Sequence, residues 1–247
     1  FNFMKAGLVY ADIVNTVSEK YAQEIRSKEE FGCGLEKLLE KRKKDLYGIV
    51  NGVDYSIWNP ASDDLIPSKF TTATLVKKAD NKKALVQKFG LKYNENIPVI
   101  GIISRLADQK GFDLIGEIIT DLMKLDIQMV VLGTGEKKYH ELFQKIHKDF
   151  PEKFGVHLGF SETLAHLIEA GSDMFLMPSK YEPCGLNQIY SLKYGTVPIV
   201  RATGGLEDTI ENIDPETGSG TGFKFTKYKD AELLKVIKKA VKVYQNK

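Results

Sequence analysis

Cations and carboxylates recur in this sequence at one kind of place, directly after an apolar run. Ser104-Arg105-Leu106-Ala107-Asp108-Gln109-Lys110-Gly111 follows the first such run of the C-terminal part. Arg105 can fork onto two oxygens, Lys110 adds a point charge, and a helix N-terminus behind them adds amide donors, a combination suited to a diphosphate. An isolated R-x4-K pair is more often a solvated basic loop. Further on, Pro178-Ser179-Lys180-Tyr181-Glu182-Pro183-Cys184-Gly185-Leu186 places Glu182 at a turn that Pro183 and Gly185 make sharp. A carboxylate beside the amides of Gly185 and Leu186 can grip sugar hydroxyls; alone, it is also an acid favoured by a helix dipole. Thr203-Gly204-Gly205-Leu206-Glu207-Asp208-Thr209 offers bare amides to an anion, or is an ordinary flexible turn. Gly133-Thr134-Gly135 is half of a dinucleotide fingerprint, and a lone GxG mostly reports a tight turn.

These loops need a scaffold, and the chain divides near Asn94. Beyond it the rhythm is regular. Apolar runs at 98–104, 127–132, 155–160, 173–178, 197–201 and 222–225 alternate with helix-periodic segments at 112–125, 136–148 and 161–170, near Gly185, near Leu206, and from Asp230 onward. Strands without polar alternation, separated by helices, predict an α/β fold with a parallel sheet covered on both faces. In such sheets ligands sit beyond the carboxyl ends of the strands, where the loops above fall together. Before Asn94 the pattern is irregular. Helices are expected at 6–10, 19–25, 35–44 and 81–89, a buried strand at 12–18, a strand entering a turn at 48–54, and a surface loop over 56–72.

Of 247 residues, 35 Lys+Arg against 33 Asp+Glu leave a net charge of +2, too balanced to name nucleic acid or a membrane surface as partner. A hydrophobic content of 43% belongs to a globular chain. Cys33 and Cys184 share no CxxC spacing, no run approaches the length of a transmembrane helix, and no leader peptide is visible.

Taken in order, S-R-L-x3-K-G, E-P-C-G-L, K-Y-G-T-x-P and T-G-G-L-x-D-T resemble the bacterial glycogen synthase and plant starch synthase family. Lys5-Ala6-Gly7, Asn51-Gly52-Val53-Asp54 and Trp58-Asn59-Pro60 fit the same pattern, so the resemblance covers essentially the whole chain. It implies the C-terminal half of a GT-B fold, built from Rossmann-like domains. It also implies retaining transfer of glucose from ADP-glucose to the 4-hydroxyl end of an α-1,4-glucan, without a metal. By resemblance, Arg105 and Lys110 bind the donor phosphates, Glu182 contacts the glucosyl hydroxyls, and Cys184, Gly185 and Leu186 line the sugar pocket. Thr203, Gly204 and Gly205 match the loop beside the distal phosphate, and Phe160 stands where relatives stack an aromatic ring, often Tyr, on adenine.

The family's N-terminal domain, with its K-x-G-G-L loop, has no counterpart here. The resemblance therefore divides the chain into a tail of that missing domain (1–18), an interdomain and leading part (19–94) and the nucleotide-sugar-binding domain (95–247). It implies a donor-binding half, weakly active or inactive by itself, from a bacterial cytoplasm or a plastid. Asn187 stands where several relatives carry Thr.

Other candidates are weaker. His140 and His147 share a helix face but lack a third ligand, and with His157 and His166 they read as solvated or capping residues. Asp63-Asp64 is expected to cap a turn, and Cys184 lacks the paired His of a nucleophile. The last helix, 235–247, is expected to pack on the core with a solvated lysine face. One rival is another GT-B glucosyltransferase; such enzymes often show E-x7-E, whereas Ile189 stands seven residues beyond Glu182. The other rival is a non-catalytic nucleotide- or glucan-binding module.

Overall fold

The computed structural model describes residues 2–27, 29–214 and 216–246. Its first part contains α1 (Phe3–Tyr10), β1 (Val14–Thr16), α2 (Glu19–Ser27), α3 (Glu29–Gly32), α4 (Glu36–Lys41) and β2 (Leu46–Gly48). β1 and β2 pair in parallel as a sheet of two strands. The buried strand expected over 12–18 contracts to these three half-exposed residues, because its one partner is equally short. α4 stops before Lys44, where Arg42 turns its guanidinium back onto the carbonyls of Leu8 (2.6 Å) and Ala11 (2.7 Å) and onto Asp45 (2.9 Å). That contact ties α1 to the end of α4.

The segment 56–72 departs most from expectation. It has no long element, yet Ile66 and Phe70 are buried, and Trp58 lies flat between His166 and Tyr190, with ring centroids 3.9 and 4.0 Å away. Asp63 does cap a turn, accepting from the Leu65 amide at 2.8 Å. Its other oxygen meets the His166 ring at 2.7 Å and accepts from the Tyr194 hydroxyl at 2.6 Å. His166 is therefore a buried, paired residue and not a solvated one. The loop's aromatic and apolar residues cover a sheet-flanking helix, a tertiary role that polar composition conceals.

The second part runs α5 (Lys78–Lys88), β3 (Val99–Leu106), α6 (Phe112–Leu122), β4 (Gln128–Gly135), α7 (Lys137–Asp149), β5 (Phe154–Leu158), α8 (Glu162–Gly171), β6 (Met174–Met177), α9 (Asn187–Lys193), β7 (Val197–Arg201), α10 (Gly204–Thr209), β8 (Phe223–Phe225) and α11 (Asp230–Gln245). The six strands β3–β8 are all parallel, in the order β5-β4-β3-β6-β7-β8. Counted within this sheet the order is 3-2-1-4-5-6, that of a Rossmann fold, with the direction of winding reversed between β3 and β6.

Side chains alternate across the sheet. Ile100 and Ile102 face a core shared with Phe112, Ile115, Phe143, Phe154 and Ile237, beneath α6, α7 and α11. Val99, Val130, Leu132 and Phe175 face Leu85, Val86 and Ile168 of α5 and α8. α6 buries Phe112, Ile115, Ile118 and Leu122, a helical stripe in which each side chain contributes roughly 1.5–3 kcal/mol of apolar burial. α5 precedes Asn94 in sequence and still supplies one covering layer of the sheet. α11 packs Leu233, Ile237 and Val241 inward, as expected, and Lys247 lies outside the described residues. Among the described residues no helix is long and apolar enough to cross a membrane.

Candidate active site

Where the winding reverses, the loops leaving β3 and β6 part and open a cleft of about 590 Å³. β3 ends in Ser104 and Arg105, and a short 3-10 turn, Asp108–Lys110, brings Gln109 and Lys110 to the same wall. Gly111 makes this close approach feasible. Its φ is +76°, and a Cβ there would lie 2.2 Å from the Pro178 carbonyl, so α6 can begin against the end of β6 only with glycine.

The opposite wall carries Ser179, Glu182, Gly185, Leu186 and Asn187. Glu182 is 6% exposed, and its Oε2 lies 2.6 Å from the Lys110 ammonium. The Ser179 hydroxyl donates to the same oxygen at 3.2 Å. Such a short, charge-assisted contact is among the stronger hydrogen bonds available to a side chain. It leaves Glu182 Oε1 without a hydrogen-bond partner among the described residues, and leaves two of the three Lys110 ammonium protons uncommitted. Arg105 is exposed and has no ion-pair partner among the described residues. The backbone N–H groups of Gly185 and Leu186, at the start of α9, likewise find no acceptor among them. Phe160 follows β5 at the rim of the cleft and is 89% exposed.

Of the ten residues to which the resemblance gives a site role, six thus share one cavity: Arg105, Lys110, Phe160, Glu182, Gly185 and Leu186. Four do not line it. Cys184 is buried behind Glu182, and burial pushes its thiol above the usual range, the reverse of an activated nucleophile. Thr203, Gly204 and Gly205 are also buried, and their donors are already used. The Thr203 hydroxyl and the Gly204 amide donate to the Glu24 carboxylate, and the Gly205 amide donates to the Glu182 carbonyl. The T-G-G turn, matched by resemblance to the loop beside the distal phosphate, turns these donors onto an internal carboxylate.

Sequence reasoning also passed over Ser179, Gln109 and Arg201. Gln109 donates to the Tyr181 carbonyl at 3.1 Å, and Arg201 donates to the carbonyls of Ser179 (2.8 Å) and Lys180. Their only sequence signal is adjacency to strand ends. His140 accepts from the Gly135 amide at 3.1 Å, and the His147 ring meets the Phe154 carbonyl at 2.7 Å, so both tie α7 to neighbouring strands. Among the described residues no three His, Cys, Asp or Glu side chains are grouped to hold a metal ion. Counted strictly, E-x7-E sets its second acid at Tyr190, whose ring is committed to Trp58.

A parallel sheet in Rossmann order, with a polar cleft at its reversal and cations on the strand ends, is the C-terminal half of a GT-B glycosyltransferase fold. The family profile described as glycosyl transferases group 1 matches residues 83–246, and the chain belongs to that family. Residues 1–41 match a second profile, described as starch synthase catalytic domain. The chain is 53% identical to a glycogen synthase of Koribacter versatilis and 49% identical to one of Thermosipho africanus, in each case over 100% of its own length and 50% of the relative's. It spans about half the length of the curated relatives it matches. The solved catalytic domain of starch synthase IV from Arabidopsis thaliana, bound to ADP and acarbose, is 36% identical and superposes with a TM-score of 0.91 over 99% of this chain and 51% of that one.

Proposed function

We propose that this chain is the donor-binding half of an ADP-glucose-dependent glucan synthase. The parent protein would transfer glucose, with retention, to the 4-hydroxyl end of an α-1,4-glucan. An N-terminal Rossmann domain would complete the cleft and the acceptor site. The observation that carries this is the convergence of Arg105, Lys110, Glu182 and two unengaged α9 amides on one cleft at the β3/β6 reversal. ADP as the nucleotide is supported by the starch synthase relative, whose structure holds it.

The geometry divides the labour. Lys110 keeps one proton on Glu182 and offers the others to phosphate oxygens, while Arg105 offers its fork. The Gly185 and Leu186 amides add neutral donors at a helix end. As the bond to the anomeric carbon breaks, the diphosphate gains negative charge, so these fixed donors stabilise the transition state more than the ground state. Side-chain cations thereby supply the charge compensation in this reading, and donor binding is expected to need no divalent ion. Glu182, anchored through Oε2, is free to accept a glucosyl hydroxyl on Oε1, and Phe160 offers a flat apolar face for adenine. The bacterial relatives make a bacterial cytoplasm the proposed compartment.

Calorimetric titration of the chain with ADP and with UDP, both with a chelator present, tests this reading. Selective ADP binding that disappears in Arg105→Ala and Lys110→Ala is expected. Binding of neither nucleotide to the complete two-domain protein would refute it.

A further inference from the structure

A carboxylate outside the cleft lies behind the wall that carries Glu182. Glu24 lies on α2 and is 6% exposed. Both its oxygens lie 3.1 Å from the Thr203 hydroxyl, and one accepts from the Gly204 amide at 3.1 Å. On its far side the same turn presses against the backbone of residues 182–184. The Gly205 amide donates to the Glu182 carbonyl at 3.1 Å; a Cβ on Gly204 would lie 1.9 Å from that carbonyl oxygen, and one on Gly205 2.1 Å from the Cys184 carbonyl oxygen. The turn is a spacer of backbone thickness between Glu24 and Glu182.

The other end of the 179–184 loop is held by the same N-terminal layer. Lys180 pairs with Glu30 of α3 at 2.7 Å, and the Tyr181 ring lies 5.9 Å from that of Phe31. Lys20 completes the seam, its amide donating to Asp208 of α10 at 3.0 Å. α2 and α3 therefore form a mould for the loop, and Glu24 holds the turn that lies behind Glu182.

We infer that Glu24 is a positioning residue: by filling the donors of the Thr203–Gly204 turn it sets the location of Glu182 relative to Lys110, and so governs turnover without touching the donor sugar. A neutral amide in its place has only one accepting oxygen and brings two donors against the Thr203 and Gly204 donors. The turn then loosens toward α2, and Glu182 moves with it. Displacement of a positioned group by about 1 Å can cost roughly 10²-fold in rate. Among the described residues Arg105 forms no hydrogen bond or ion pair with Glu24, the turn or Glu182, so the share of nucleotide affinity that rests on Arg105 is insulated from this displacement.

The test uses the complete two-domain protein with Glu24→Gln and Glu24→Asp. This inference rests on the proposed function for its kinetic arm only. There, Glu24→Gln is expected to lower kcat roughly 10- to 100-fold while ADP affinity, retained in part through Arg105, falls by clearly less, with partial recovery in Glu24→Asp. A kcat within about twofold of wild type, or equal losses of kcat and ADP affinity, overturns it. The second arm needs no substrate. Hydrogen exchange of the unliganded protein is expected to quicken about tenfold or more at the Gly205 amide, which donates to the Glu182 carbonyl, in Glu24→Gln, with Val99–Leu106 unchanged. Unchanged exchange at Gly205 overturns the inference even if the sugar nucleotide proves to be a different one.

Discussion

Glu169 sits on α8, fully buried, with Oε2 accepting from the Ser191 hydroxyl at 2.7 Å and Oε1 without a hydrogen-bond partner among the described residues. Burial pushes its carboxyl from 4.5 up to about 8, against the smaller opposing pulls of Ser191 and Lys78. At about 1.36 kcal/mol per pH unit, that displacement corresponds to about 5 kcal/mol. The sign follows from proton counts. Between about pH 4.5 and pH 8 the unfolded chain has released this proton and the folded chain has kept it. Stability therefore falls as pH rises through that window and levels off above it. Glu169→Gln keeps the shape and the oxygen that accepts from Ser191, and it cannot ionise. Urea unfolding followed by circular dichroism at several pH values is expected to show wild type and variant alike near pH 5. Near pH 8.5 the variant should be more stable by about 2–5 kcal/mol, the lower figure allowing for relaxation around the charge. A difference between the two proteins that stays constant with pH would refute the reasoning.

In the complete protein, Arg105→Ala and Lys110→Ala should each reduce glucosyl transfer by about 10²–10³-fold; near-normal turnover in both would remove them from the site. Only Lys110→Ala should also cost stability, about 1–3 kcal/mol, because it strands the Glu182 carboxylate; thermal unfolding of the two variants compares them. Gly204→Ala, at a φ of +45° and against the Glu182 carbonyl, should destabilise by about 2 kcal/mol or more, read from the urea midpoint. Trp58→Ala should cost about 3 kcal/mol through loss of both ring stacks. Phe160→Ala, at an 89% exposed position, should leave stability within about 0.5 kcal/mol and weaken ADP binding several-fold in a titration.

The parallel sheet was legible because 98–104 and 127–132 are largely apolar runs without polar alternation, the pattern of strands buried on both faces, and they overlap Val99–Leu106 and Gln128–Gly135. The convergence of Arg105, Lys110 and Glu182 on one cleft was legible because topology places every strand end on one edge. The Thr203–Gly205 turn shows where that logic stops. Bare amides at a strand end advertise an anion, and they do not say whether it is a ligand or a side chain nearly 180 residues away in sequence. Glu24 gave little signal, being one glutamate in a charged helix, although it shares a face with Tyr21. The turn cap at Asp63 was read correctly, but its pairing with His166 was missed for the same reason. Their partnership spans the chain, and a Pro-, Ser- and Asp-rich composition reads as solvent-exposed until Trp58 and Phe70 are seen to turn inward.

Trp58 is the single tryptophan of the chain, pressed face to face between an imidazole and a phenol ring. An indole stacked on an imidazole is open to quenching by electron or proton transfer at that contact, so its emission is expected to depend on the stack. Release of the 56–72 segment would separate the rings and brighten it. The molecule thus carries one built-in optical reporter, mounted on helices α8 and α9 and outside the nucleotide cleft. Its emission would register undocking of that loop as an event separate from collapse of the sheet, and would do so without any added label.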